Sequence, residues 1–82
     1  GGVTRTPTYD PVTDDITQSD EVIVASGKLL RRRTYAYTDE DLTTINIKVY
    51  DDDGVTVIGE VTDTLSYNGD GDWTSTTRVV IA

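Results

Sequence analysis

The sequence predicts an all-β protein: five or six antiparallel strands arranged as a meander or a small sandwich, preceded by an extended N-terminal arm. Three observations carry this. First, ten Val, six Ile and fifteen Thr dominate a chain of 82 residues, and β-branched side chains, stiff at χ1, fit a pleated sheet better than a helix. Second, the β-branched segments alternate with clusters of Asp, Asn and Gly, the punctuation of hairpins. Third, apolar and polar positions alternate with period two: Thr43, Ile45, Ile47 and Val49 against Thr44, Asn46, Lys48 and Tyr50.

Residues 1–20 hold both prolines and few apolar side chains. Pro7 and Pro11 push Thr6 and Asp10 towards extended geometry, so this segment is expected to be an arm with at most a short strand around Val12–Thr17. The β domain is expected over residues 21–82. EVIVAS is a compact apolar run ending at Gly27, a turn position, and KLLRRRTYAY follows it. The alternative of a helix over SDEVIVASGKLLRRR, capped by Ser19 or Asp20, loses to strand because it is β-branched and interrupted by Gly27. LTTINIKVY is the next strand. In VTVIGEVTDTLSY, Val55 and Val57 share a face and Gly59 is expected to mark a bulge or bend. In WTSTTRVVIA, the residues Trp73, Ser75, Thr77, Val79 and Ile81 are expected to share a face.

Four places share one phrase, a Tyr followed by an acidic or polar turn, an apolar residue and Thr: Tyr9-Asp10-Pro11-Val12-Thr13, Tyr37 to Leu42-Thr43, Tyr50 to Val55-Thr56 and Tyr67 to Trp73-Thr74. The Tyr is expected to end a strand with its ring half buried and its hydroxyl wet, while Gly or Asn supplies the positive φ of the turn. This phrasing resembles the YD-type repeats of secreted bacterial shell and surface proteins. It is similar also to short β-hairpin-repeat segments of bacteriophage structural proteins, with Tyr50-Asp51-Asp52-Asp53-Gly54-Val55-Thr56 following the pattern most closely. The resemblance covers mainly residues 35–82 and implies a habitat, virion or cell-surface architecture, built from hairpins. The Tyr spacings of 28, 13 and 17 residues are not those of a regular array.

The net charge of −8 argues against nucleic acid and against an anionic membrane surface as partners. No apolar run approaches the ~18 residues of a membrane span. Gly1-Gly2 in place of an initiator Met fits a processed piece or a cleavage scar. With no His and no Cys, the usual nucleophile–base pairs are missing, and a pocket deep enough to tune a carboxylate pair is not expected at this size, so a non-enzyme is expected.

Three groups of residues are candidates for binding. Asn68, Asp70 and Asp72 occupy the first, third and fifth places of a calcium loop, but Trp73 and Val79 stand where Gly and Glu are needed. A hairpin turn and an opportunistic calcium site are both open. Arg31, Arg32 and Arg33 form the only cationic cluster, with Arg31 and Arg33 pointing one way and Arg32 the other. Cross-strand pairing with acidic neighbours, anchoring to an acidic surface of a partner subunit, and contact with phosphate or nucleic acid are the alternatives, in that order. Trp73 is either the anchor of a thin core or, with Tyr35, Tyr37, Tyr50 and Tyr67, part of a sugar-stacking platform.

With Val, Ile and Leu supplying only twenty residues, a small chain with neither disulfide nor zinc site is expected to gain stability by association. The function expected is that of a structural, assembly-forming protein of a virion or surface appendage, acting with copies of itself or a larger scaffold. The alternative is an extracellular carbohydrate-binding or adhesin-like module, calcium-assisted or cofactor-free.

Overall fold

The computed structural model describes residues 2–82. It contains six antiparallel strands in one sheet, ordered as they occur in the chain: β1 (Val3–Tyr9), β2 (Ile16–Ile23), β3 (Leu29–Thr38), β4 (Asp41–Tyr50), β5 (Val57–Tyr67) and β6 (Trp73–Val80). The meander alternative therefore holds and the sandwich does not, because no second layer covers either face. The plate measures 46 × 30 × 17 Å.

Residues 1–20, expected as an arm, belong largely to the sheet. Val3–Tyr9 pair antiparallel with β2, from Val3 opposite Ile23 to Tyr9 opposite Ile16. The short strand expected around Val12–Thr17 lies later, because Asp10 folds the chain back. Its Oδ1 accepts from the amides of Val12 and Thr13 at 2.8 and 3.1 Å, which makes Pro11–Thr13 a turn and leaves Ile16 to start β2. Gly1 lies outside the described residues, and with it part of the expectation of a processed Gly-Gly start.

Each hairpin is closed by local chemistry. Asp53 Oδ1 accepts from Val55 and Thr56 amides, both at 2.8 Å, and Gly54 beside it has φ 73°. A Cβ at Gly54 would also lie 3.0 Å from Lys28 Cβ, so glycine is required there twice over, for its backbone and for the close approach of the β2–β3 turn. Val55 consequently lies in this turn and not on a strand face with Val57. The tight β3–β4 turn uses Asp39 and Glu40 at φ 50° and 74°, the left-handed pair demanded by a two-residue hairpin loop.

Every hairpin carries one register shift, at Tyr9, Tyr37 and Tyr67 at one end of the sheet and at Val22 and Tyr50 at the other. The bulge expected at Gly59 falls one residue earlier, since Gly59 pairs regularly with Val49 while Ile58 is the extra residue before Val57 meets Tyr50. The shift in β6 sets Trp73 opposite Tyr67 while Ser75 faces Ser66, which breaks the single face expected for Trp73, Ser75 and Thr77.

The two faces differ. One carries Ile45, Ile47 and Val49 of β4, flanked by Arg31, Arg33 and Tyr35 of β3 and by Val61, Asp63 and Leu65 of β5. The other carries Thr34, Asn46, Lys48, Thr62 and Thr64. No hydrophobic side chain among the described residues is fully buried; the most enclosed residues are Ser19, Glu21 and Asp63, at 2%, 9% and 9% exposure. Trp73, expected as a possible core anchor, is 59% exposed. A single layer has no opposing surface for a large ring to fill, and Trp73 stands on the terminal strand.

Candidate functional site

Carboxylate–guanidinium pairs organise the centre of the β1–β2–β3 region. Glu21 lies opposite Arg5 on one side and Arg31 on the other. Its Oε1 accepts from Arg5 at 2.8 Å and from Arg33 at 2.5 Å, and Arg31 Nη1 lies 3.5 Å from Oε2. The Arg33 hydrogen bond leads the pull of the Glu21 carboxyl below its usual range, burial opposes it, and Arg5 and Arg31 add to it. On the reverse face Arg32 holds Asp20 through two bonds of 2.8 and 3.0 Å, which lowers the Asp20 carboxyl likewise. The three arginines are thus divided between the faces, as alternation requires, and each has an acidic cross-strand neighbour. The same device recurs at the far edge, where Arg78 holds Asp63 at 2.7 and 2.9 Å.

The Asn68–Asp72 segment forms a hairpin turn. Asn68 Oδ1 accepts from the amides of Asp70 and Asp72 at 2.9 and 3.0 Å, and Asn68 N donates to the Asp72 carbonyl at 2.9 Å. The side-chain oxygen that would open a calcium loop is therefore engaged by the turn's own amides. Among the described residues no three acidic side chains converge on a point suited to a metal ion.

The tyrosines act through their hydroxyls. Tyr37, near the end of β3, donates to the Ile16 carbonyl of β2 at 2.8 Å, and Tyr67, at the end of β5, donates to the Leu42 carbonyl of β4 at 2.6 Å. Burial raises the Tyr37 hydroxyl above its ordinary range, helped by the negative charge of Asp15. Tyr37 also walls a shallow cleft with Asp10, Asp15, Asp39 and Glu40. That cleft gathers negative charge without a His, Cys or cation to complete an acid–base or nucleophilic set. Tyr35 stands opposite Ile45 on the more apolar face, separated from Trp73 by β4 and β5; of the tyrosines named with Trp73, Tyr67 is the one directly opposite it. The Trp73 indole N–H donates to Thr76 Oγ1 at 3.1 Å.

What the geometry leaves available for interaction is a pair of strand edges. β1 and β6 each have a neighbour on one side only, and every residue of both strands is exposed. Antiparallel alternation decides which groups face outward. The Gly2 carbonyl accepts from Val24 N, so even-numbered residues of β1 bond to β2 and Val3 and Arg5 face out. Ile81 N donates to the Glu60 carbonyl, so odd-numbered residues of β6 bond to β5 and Thr76 and Arg78 face out. These edge residues are not among the binding candidates read from the sequence. A signal for the β1 edge was present in the phrase Thr-x-x-Tyr, which occurs at Thr6–Tyr9 as it does at Thr34–Tyr37 and Thr64–Tyr67. No family model, curated protein or solved structure matches this chain.

Proposed function

We propose that this chain is a non-enzymatic structural module that works by assembly, its sheet edges and side chains contacting other subunits of a virion or a cell-surface appendage. One observation carries the reading: a six-stranded sheet with no covering layer keeps two open edges and no buried apolar side chain among its described residues. Open edges with unpaired N–H and C=O groups are templates for pairing with another chain. The devices that blunt such edges are sparse here, with Pro7, Arg5 and Arg78 the only proline and charges on the two edge strands. The habitat follows from the hairpin phrasing, whose likeness is to repeat segments of surface and phage structural proteins. The test is size-exclusion chromatography with light scattering over a dilution series. The expected result is a mass that climbs above the 9.0 kDa monomer with concentration. A mass fixed at the monomer throughout, together with high resistance to heat, overturns the reading.

A further inference from the structure

The sheet is three copies of one hairpin. In β1–β2, β3–β4 and β5–β6 the residue paired with the Tyr, across a register shift, is Ile16, Leu42 and Trp73 respectively. The next residue is Thr in all three, and its hydroxyl donates to the carbonyl just before the Tyr: Thr17 to Thr8 at 3.3 Å, Thr43 to Ala36 at 3.2 Å, Thr74 to Ser66 at 3.0 Å. The seams between hairpins also repeat. In β2–β3 the regular pairs run from Gln18 opposite Thr34 to Glu21 opposite Arg31. In β4–β5 they run from Thr44 opposite Thr64 to Ile47 opposite Val61. Counted from Ile16 or Leu42 and from Tyr37 or Tyr67, these are the same positions. Because the register is the same, each later Tyr hydroxyl reaches the same acceptor, the carbonyl of Ile16 or Leu42 in the hairpin before it.

One half of this latch is left over at each end. Among the described residues no hairpin precedes Tyr9, which is 53% exposed. Trp73 occupies the acceptor position of Ile16 and Leu42, and no hairpin follows it among the described residues. We propose that the β6 edge of one chain receives the β1 edge of a second copy in this same seam, head to tail. The pairs would be Ser75 with Thr6, Thr76 with Arg5, Thr77 with Thr4 and Arg78 with Val3, and the incoming Tyr9 hydroxyl would donate to the Trp73 carbonyl. This rests on the assembly reading above and names its partner and register.

One feature opposes this joint and one favours it. Pro7 stands where Tyr35 and Leu65 stand in the existing seams and has no N–H, so the joint forgoes the last bond of the ladder while the outward groups of Val3, Arg5, Thr76 and Arg78 keep theirs. Arg5 and Arg78 are already held by Glu21 and Asp63, so neither brings an uncompensated charge to the joint. The joined faces are different surfaces of the chain, so each added copy leaves one β1 edge and one β6 edge free and the contact propagates head to tail.

The test uses the full chain. Single-cysteine variants Thr6→Cys and Ser75→Cys are mixed and gently oxidised, since the proposed pairing brings these exposed positions within disulfide range. The expected result is mixed Thr6–Ser75 disulfide well above the statistical half of all dimers, and a ladder of multimers from the doubly substituted chain. Tyr9→Phe is expected to raise the dissociation constant roughly 3- to 10-fold. Thr76→Pro, which removes an outward N–H, is expected to abolish association while light scattering shows an intact monomer. Association in which like-with-like disulfides dominate overturns the head-to-tail seam while leaving assembly in place; a chain that stays monomeric overturns the seam, and one that is also highly resistant to heat overturns the assembly reading with it.

Discussion

At the scale of single residues, the carboxylates determine how the fold responds to acid. Asp53 is held down to about 2, first by the Thr56 hydroxyl and then by the Thr56 and Val55 amides. Asp10, Asp20, Glu21 and Asp63 are also lowered, Asp10 by turn amides and the others by arginines. A folded-state value below the unfolded one means that the unfolded chain binds protons first. The stability these groups contribute is therefore present above the unfolded carboxylate range near ~4 and is lost as the pH falls through the folded values. The thermal midpoint of the wild type minus that of Asp53→Asn is expected to be positive at pH 7 and to shrink between about pH 4 and 2. A difference that stays constant over that window would show that Asp53 is not the group responsible.

At the scale of elements, hairpins are joined to one another by ladders and latches. A two-stranded hairpin is marginal alone in water, and a neighbouring pair adds a seam of backbone bonds. The Tyr hydroxyls fasten the bulged ends of two of these seams, where the ladder has already stopped. Tyr37→Phe and Tyr67→Phe each remove one hydroxyl and little ring packing, and each is expected to cost about 0.5–1.5 kcal/mol in urea unfolding. Tyr9→Phe, whose hydroxyl has no hairpin to reach within the chain, is expected to leave the dilute monomer within about 0.5 kcal/mol of wild type. Equal losses at all three positions would refute the latch. The phrase Tyr–turn–apolar–Thr was legible in the sequence at Tyr37 and Tyr67. At Tyr9 the strand restarts at Ile16-Thr17 and not at Val12-Thr13, because the Asp10 cap lengthens the turn. Tyr50 belongs to the opposite end of the sheet. Its removal from the series turns spacings of 13 and 17 residues into one of 30, close to the 28 from Tyr9 to Tyr37.

At the scale of the whole molecule, the plate departs from a globule. A compact chain of this length has a radius of gyration of ~12 Å, whereas this one has 14.6 Å. Its accessible surface is 5483 Å², against ~4,900 Å² for a globular monomer of the same mass. Unfolding an isolated plate therefore exposes less new surface than unfolding a globule of equal length. Its urea m-value is expected at or below ~1 kcal/mol/M, the low end for small domains. It is expected to rise with protein concentration as edges become covered. A larger, concentration-independent value would mean that the apolar face is already covered in solution.

Strand propensity, turn chemistry and side-chain alternation act over a few residues, and the sequence by itself determined what depends on them. It determined the all-β class, the hairpin punctuation at Gly27, Gly54 and Asn68, and the split of Arg31 and Arg33 from Arg32. Only the tertiary structure decided that the sheet stays one layer, that Val3–Tyr9 joins it as an edge strand, and that Trp73 is left in solvent. It alone decided that the hydroxyls of Tyr37 and Tyr67 meet the carbonyls of Ile16 and Leu42. Those outcomes depend on register between strands distant in sequence, where a single extra residue at a bulge moves a side chain to the other face.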